Sequence, residues 1–152
     1  MKIPLLVILV AAAFGFAWPT FAQEQNAVSE DVRQQIEAVN MKLGEAQNKY
    51  DAAATAGFYA QNAVLVWQWA ESGRPAVGQE AIEERYSLNF ASKPPECSGE
   101  LVQMYAIGDE ISATWRFTCR SWNGYSVKIY VRDADTWKIL IEYAMLENQI
   151  TR

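Results

Sequence analysis

Apolar side chains between Val32 and Tyr50 recur at helical spacing, as Val32, Ile36, Val39, Leu43, Ala46 and Tyr50, which predicts an amphipathic helix. Ser29 is placed to cap its start, and Glu30 and Asp31 to sit against the positive end of its dipole. A short second helix is expected from Asp51 to about Tyr59, with Asp51 as its cap and Ala52, Ala53, Ala54 and Ala56 favouring it. The period then changes. Ala63 to Trp69 reads as a strand, Glu71-Ser72-Gly73-Arg74-Pro75 as a turn and Ala76-Val77 as a short return strand. After Gly78 a third helix places Ala81, Ile82, Tyr86 and Phe90 on one face and leaves Glu80, Glu83 and Glu84 to solvent. Lys93-Pro94-Pro95 ends that helix, because proline lacks the N–H that would continue it.

Beyond the prolines the chain alternates and is rich in aromatic and β-branched residues. Four strands are predicted, Ser98 to Ala106, Glu110 to Ser121, Tyr125 to Asp133 and Trp137 to Leu146, separated by Gly108-Asp109, Asn123-Gly124 and Ala134-Asp135. Tight turns between consecutive strands make an antiparallel meander. The expected fold class is therefore α+β, a curved antiparallel sheet with three N-terminal helices packed on its concave face.

The first residues do not belong to this pattern. Lys2, an apolar run from Ile3 to Trp18 and then Pro19-Thr20-Phe21-Ala22 have the form of a cleavable secretory signal, residues 1–22, cut after Ala22. The run is short for a membrane span. The expected mature unit is one domain, residues 23–152, periplasmic or secreted and without a membrane anchor. Removing Lys2 takes the net charge from −5 to −6, a sign that disfavours nucleic acid and anionic membranes.

An oxidising compartment lets the two cysteines pair. Cys97 and Cys119 are equidistant from Gly108, as opposed positions on a hairpin would be, and a disulfide is expected between them. The chain has no histidine. That excludes Ser-His-Asp and Cys-His mechanisms and the usual histidine-rich zinc and iron sites, and no phosphate loop or dinucleotide fingerprint is present. No metal or cofactor site is read from the chain, and acid–base chemistry would fall to Asp, Glu, Tyr or Lys.

Tyr50-Asp51, Phe58-Tyr59-Ala60-Gln61-Asn62-Ala63-Val64-Leu65, Gly78-Gln79-Glu80-Ala81-Ile82, Gly108-Asp109 and Asp135-Thr136-Trp137-Lys138-Ile139 together resemble the nuclear-transport-factor-two-like superfamily. The likeness is to its SnoaL-like and ketosteroid-isomerase-like exported domains. It implies a cone-shaped sheet and a homodimer. It leaves the activity open, since the superfamily holds isomerases, cyclases, dehydratases, hydrolases and binding modules. Alignment on Tyr59-Ala60 places the ketosteroid isomerase base on Trp67, its tyrosine on Leu43 and its second acid on or near Ile129, which argues against that particular reaction.

With Cys97 opposite Cys119, the residues Trp115 and Phe117 share a face with Leu101 and Gln103, and a turn centred near Asn123 would add Ile129 to it. Trp67 and Trp69 from the first strand and Tyr86 from the third helix complete an aromatic lining. The candidate ligand-binding residues are thus Trp67, Trp69, Tyr86, Gln103, Trp115, Phe117 and Ile129, and the ligand a small apolar or alicyclic molecule. Each aromatic is also readable simply as core, the usual place for large aromatics in a small domain. Glu142, in a strand apolar on both sides, is the candidate catalytic carboxylate, or else a partner in an ion pair with Lys128 or Arg116. The alternative function is a non-catalytic homodimeric interaction or scaffold module, because the outer side of the Trp137 to Leu146 strand is apolar and needs covering.

Overall fold

The computed structural model describes residues 27–70 and 74–147, so the predicted signal segment lies outside the described residues. Helix α1 spans Glu30–Asn48, with the Ser29 hydroxyl accepting from the Val32 N–H and Ile36, Leu43 and Ala46 buried. Helix α2 is a single turn, Ala52–Ala56, capped by Asp51, whose carboxylate accepts from the Ala54 N–H. The chain enters it through Tyr50 in the left-handed region, φ 57°. Strand β1 starts earlier than the apolar run suggests, at Tyr59, and ends at Trp67. Strand β2 is Ala76–Val77 and helix α3 is Gln79–Phe90, with Ile82, Tyr86 and Phe90 buried.

Strands β3 (Cys97–Ile107), β4 (Glu110–Cys119), β5 (Asn123–Asp133) and β6 (Thr136–Leu146) form the expected meander. The sheet order is β2-β1-β6-β5-β4-β3. One pairing departs from a wholly antiparallel sheet: β1 returns beside β6 and runs parallel to it, since α3 and the whole meander form the crossover between them. Helix α1 packs on β3 and β6, and α3 on β1, β2 and α2, so the helices close the concave side. Ile36, Leu43, Tyr59, Leu65, Ile82, Tyr130 and Ile139 are the largest side chains there that are wholly removed from water.

Two details of register decide which residues face the helices. In the β3–β4 hairpin Ile107 opposes Glu110 across Gly108-Asp109, with Gly108 at φ 61°, but Val102 is an extra residue between Leu101, opposite Trp115, and Gln103, opposite Thr114. In β4–β5 the chain reverses at Arg120–Trp122, closed by Cys119 N–H to Trp122 O at 2.9 Å, so Phe117 opposes Gly124. Gly124 is therefore a strand residue. A Cβ there would lie 2.5 Å from Phe117 Cζ and 2.1 Å from Met145 O, which reserves the position for glycine.

Candidate functional site

Between the concave face of the sheet and helices α1 and α3 lies a cavity of about 870 Å³, of the size that small-molecule sites occupy. Its wall is a run of aromatic rings. Trp67, at the end of β1, meets the Tyr86 ring of α3 edge-on at 5.1 Å and stacks on Trp69 at 5.7 Å. Trp69 in turn touches Phe117 at 6.2 Å and Trp122 at 5.9 Å, and those two rings are 5.5 Å apart. Cys97, bonded to Cys119, lines the same cavity, so the covalent tie between β3 and β4 stands at this aromatic end.

The floor is polar and buried. Glu142 of β6 and Lys128 of β5 are directly opposed in the ladder, each 5 % exposed, with Lys128 Nζ 3.9 Å from Glu142 Oε1. The ammonium also donates to Asn40 Oδ1 of α1 at 2.7 Å and lies 6.0 Å from the Trp115 ring centre. On the other side the Tyr59 hydroxyl donates to Glu142 Oε2 at 2.5 Å and is 2.9 Å from the Tyr86 hydroxyl, which accepts from Gln47 Nε2 at 2.9 Å. Tyr59 has one proton and spends it on Glu142. The Tyr86 proton must therefore point to Tyr59, and the chain runs one way from Gln47 through both tyrosines to the carboxylate.

Burial sets the protonation of these groups. Loss of water pushes the Tyr59 and Tyr86 phenols well above their ordinary range, and the negative charge of Glu142 pushes them further. Both stay neutral donors. Burial pulls Lys128 below the ordinary lysine value, and the attraction of Glu142 opposes only part of that shift. The arrangement offers a carboxylate with one oxygen fixed by Tyr59 and the other facing a partly destabilised cation. Among the described residues no group of three or more His, Cys, Asp or Glu side chains could hold a metal ion.

The family model described as a SnoaL-like domain matches residues 41–141. The chain belongs to the SnoaL-like domain family. Solved structures agree with this at the level of fold. A ketosteroid isomerase-like protein from Erwinia carotovora atroseptica has a TM-score of 0.64 at 16% identity, covering 80% of this chain and 99% of its own. An NTF2-like protein from Pseudomonas putida has a TM-score of 0.66 at 16% identity, with 82% and 93% covered. A calcium/calmodulin-dependent protein kinase type II association domain from Thiobacillus denitrificans has a TM-score of 0.65 at 15% identity, with 74% and 94% covered. No curated protein sequence matches this SnoaL-like domain.

Six of the residues singled out in the sequence line the cavity of the SnoaL-like domain: Trp67, Trp69, Tyr86, Trp115, Phe117 and Glu142. Two do not. Gln103 is exposed on the outer face, donating to Thr114 Oγ1 at 3.2 Å and accepting from the Tyr105 hydroxyl, because the bulge at Val102 turns the rest of β3 over. Ile129 opposes Ser112 rather than Phe117, a displacement of five residues, and an odd displacement exchanges the faces of a strand. Ser126 and Lys128 take the inner positions instead, and Ile129 points outward. The site residues that sequence reasoning passed over are Tyr59, Asn40 and Gln47. Lys128, considered only as a salt-bridge partner, carried a visible signal, since a lysine between Val127 and Ile129 breaks an apolar run as Glu142 does.

Proposed function

We propose that this SnoaL-like domain, exported and processed to residues 23–152, binds a small apolar or alicyclic molecule in the cup, and that Glu142 moves a proton of that ligand in a lyase or isomerase-type reaction. The supporting observation is the pairing of an aromatic wall with a buried carboxylate whose Oε1 has no hydrogen bond from any of the described residues. A base needs a free lone pair within reach of the ligand. Tyr59 takes Oε2 and Lys128 stands 3.9 Å from Oε1, longer than a hydrogen bond. The cysteine bridge is consistent with an oxidising compartment.

Native mass spectrometry of the protein purified from the periplasm under gentle conditions tests the reading. A retained small molecule is the expected result, and Glu142→Gln should then abolish its turnover while leaving it bound. Turnover unchanged in Glu142→Gln would remove the catalytic part, and a cavity that retains nothing and binds no aromatic or alicyclic probe would remove the whole.

A second reading concerns the outer face of the sheet, which we propose pairs with a second copy. Val64, Ile141 and Ile129 form one cross-strand row and Val66, Tyr143 and Val127 the next. Ile141 and Tyr143 are 42% and 39% exposed, an unusual position for large apolar groups in adjoining rows. An apolar sheet face can match its own copy about a two-fold axis. The association domain among the structural neighbours lends this reading support. Sedimentation of a strict monomer at micromolar concentration would defeat it.

A further inference from the structure

We propose that Lys128 forms a covalent imine with an aldehyde or ketone held in the cavity, with Glu142 transferring the protons. This rests on the cavity being a ligand site, and it specifies the carbonyl as the group the floor engages. Three observations carry it. Lys128 and Glu142 both line the cavity, and the Glu142 oxygen nearest Nζ is Oε1, the one Tyr59 leaves open. The hydroxyl protons of Tyr59 and Tyr86 are committed along the chain to Glu142, so neither is free to stabilise an enolate oxygen. An electron sink for a carbonyl ligand must come from elsewhere, and the amine of Lys128 is at hand. Burial also favours the neutral amine, the form that attacks.

The step balances with groups already present. Glu142 Oε1 takes a proton from the ammonium, and the nitrogen lone pair forms a bond to the carbonyl carbon as the C–O π pair moves to oxygen. A proton passes from nitrogen to that oxygen, giving the carbinolamine. Glu142 then returns its proton to the hydroxyl, water leaves and the nitrogen lone pair closes the C=N bond. The net change is ammonium plus carbonyl to protonated imine plus water, with Glu142 a carboxylate at both ends. The protonated imine acidifies the adjoining C–H, which Glu142 can then remove.

The test is reductive trapping of the intact protein. Benzaldehyde and cyclohexanone are each added with sodium cyanoborohydride at neutral pH and adducts located by peptide mapping, while tryptophan fluorescence of the same samples reports cavity occupancy. One adduct per chain is expected, on Lys128, forming about tenfold or more faster than on the exposed Lys42, Lys49 and Lys93. Lys128→Arg, which keeps a cation opposite Glu142, should take no cavity adduct, and the wild-type peptide map locates the adduct whether or not that variant folds. Glu142→Gln should bind and trap about tenfold more slowly, in line with loss of a general acid–base. Saturable quenching with no adduct, or labelling of Lys128 no faster than the exposed lysines, would overturn the imine and leave the cavity reading standing. Neither quenching nor labelling would overturn both.

Discussion

The inner and outer faces of β5 and β6 are built from alternate residues of the same two strands and distribute polarity in opposite senses. Inside, Ser126, Lys128 and Glu142 are withdrawn from water, while outside Ile141 and Tyr143 remain exposed to it. A domain selected for stability alone would have these the other way round. Each inversion points to a use. The buried charges line a cavity of ligand size, and the exposed apolar rows are the face that we propose a second copy covers.

Breaking the inner face should have the largest effect. Glu142→Leu leaves Lys128 buried without its counter-charge and is expected to cost about 3–5 kcal/mol, measured by denaturant unfolding. The double variant Lys128→Met/Glu142→Leu should recover most of that loss and still trap no carbonyl probe, separating what the pair does for folding from what it does for the site. Removing the covalent tie at the aromatic end, Cys97→Ala with Cys119→Ala, should cost about 3 kcal/mol by loosening the limits on the unfolded chain.

On the outer face, Ile141→Glu should weaken self-association by about 2 kcal/mol in sedimentation equilibrium, and change the unfolding free energy of the monomer by under about 0.5 kcal/mol. The last effect is a gain. Among the described residues neither the Tyr130 hydroxyl nor Trp115 Nε1 makes a well-formed hydrogen bond, although both are buried and Trp115 stands close enough to Tyr130 to lower its phenol slightly against the larger effects of burial and Glu142. Tyr130→Phe should therefore raise stability by about 1 kcal/mol.

The same variant carries a sign in pH. Burial first, and then the charge of Glu142, hold the Tyr130 phenol well above its ordinary value of 10.0. Above about pH 10 the unfolded chain gives up this proton and the folded chain keeps it, so stability present below that pH is lost as pH rises. Tyr59 and Tyr86 act in the same direction. Melting temperature should fall above about pH 10, and less steeply in Tyr130→Phe.

The elements were legible because period and punctuation report local structure. Ser29, Asp51 and the Lys93-Pro94-Pro95 stop stand where their chemistry places them. The disulfide was legible by a fortunate cancellation. Counting from a single central residue at Gly108 pairs Cys97 with Cys119, yet the hairpin reaches that pairing by a two-residue turn plus one extra residue at Val102. The same counting gave the wrong face for Gln103, and a turn centred near Asn123 misplaced Ile129 by five residues, since any odd slip is invisible in an alternating pattern and reverses every side chain beyond it. Asn40, Gln47 and Tyr59 were not legible. Their roles depend on partners 88, 39 and 83 residues away, and nothing in local spacing reports such a meeting.

That distance also orders the assembly of the molecule in time. The three hairpins of the meander close over short loops, whereas β1 can join β6 only after some eighty residues have been looped out, and slow steps in folding are those that close long loops. Tyr59 arrives with β1. The floor is then expected among the last structures to form, and the binding proposed for it would follow only once the whole chain has reached its native state.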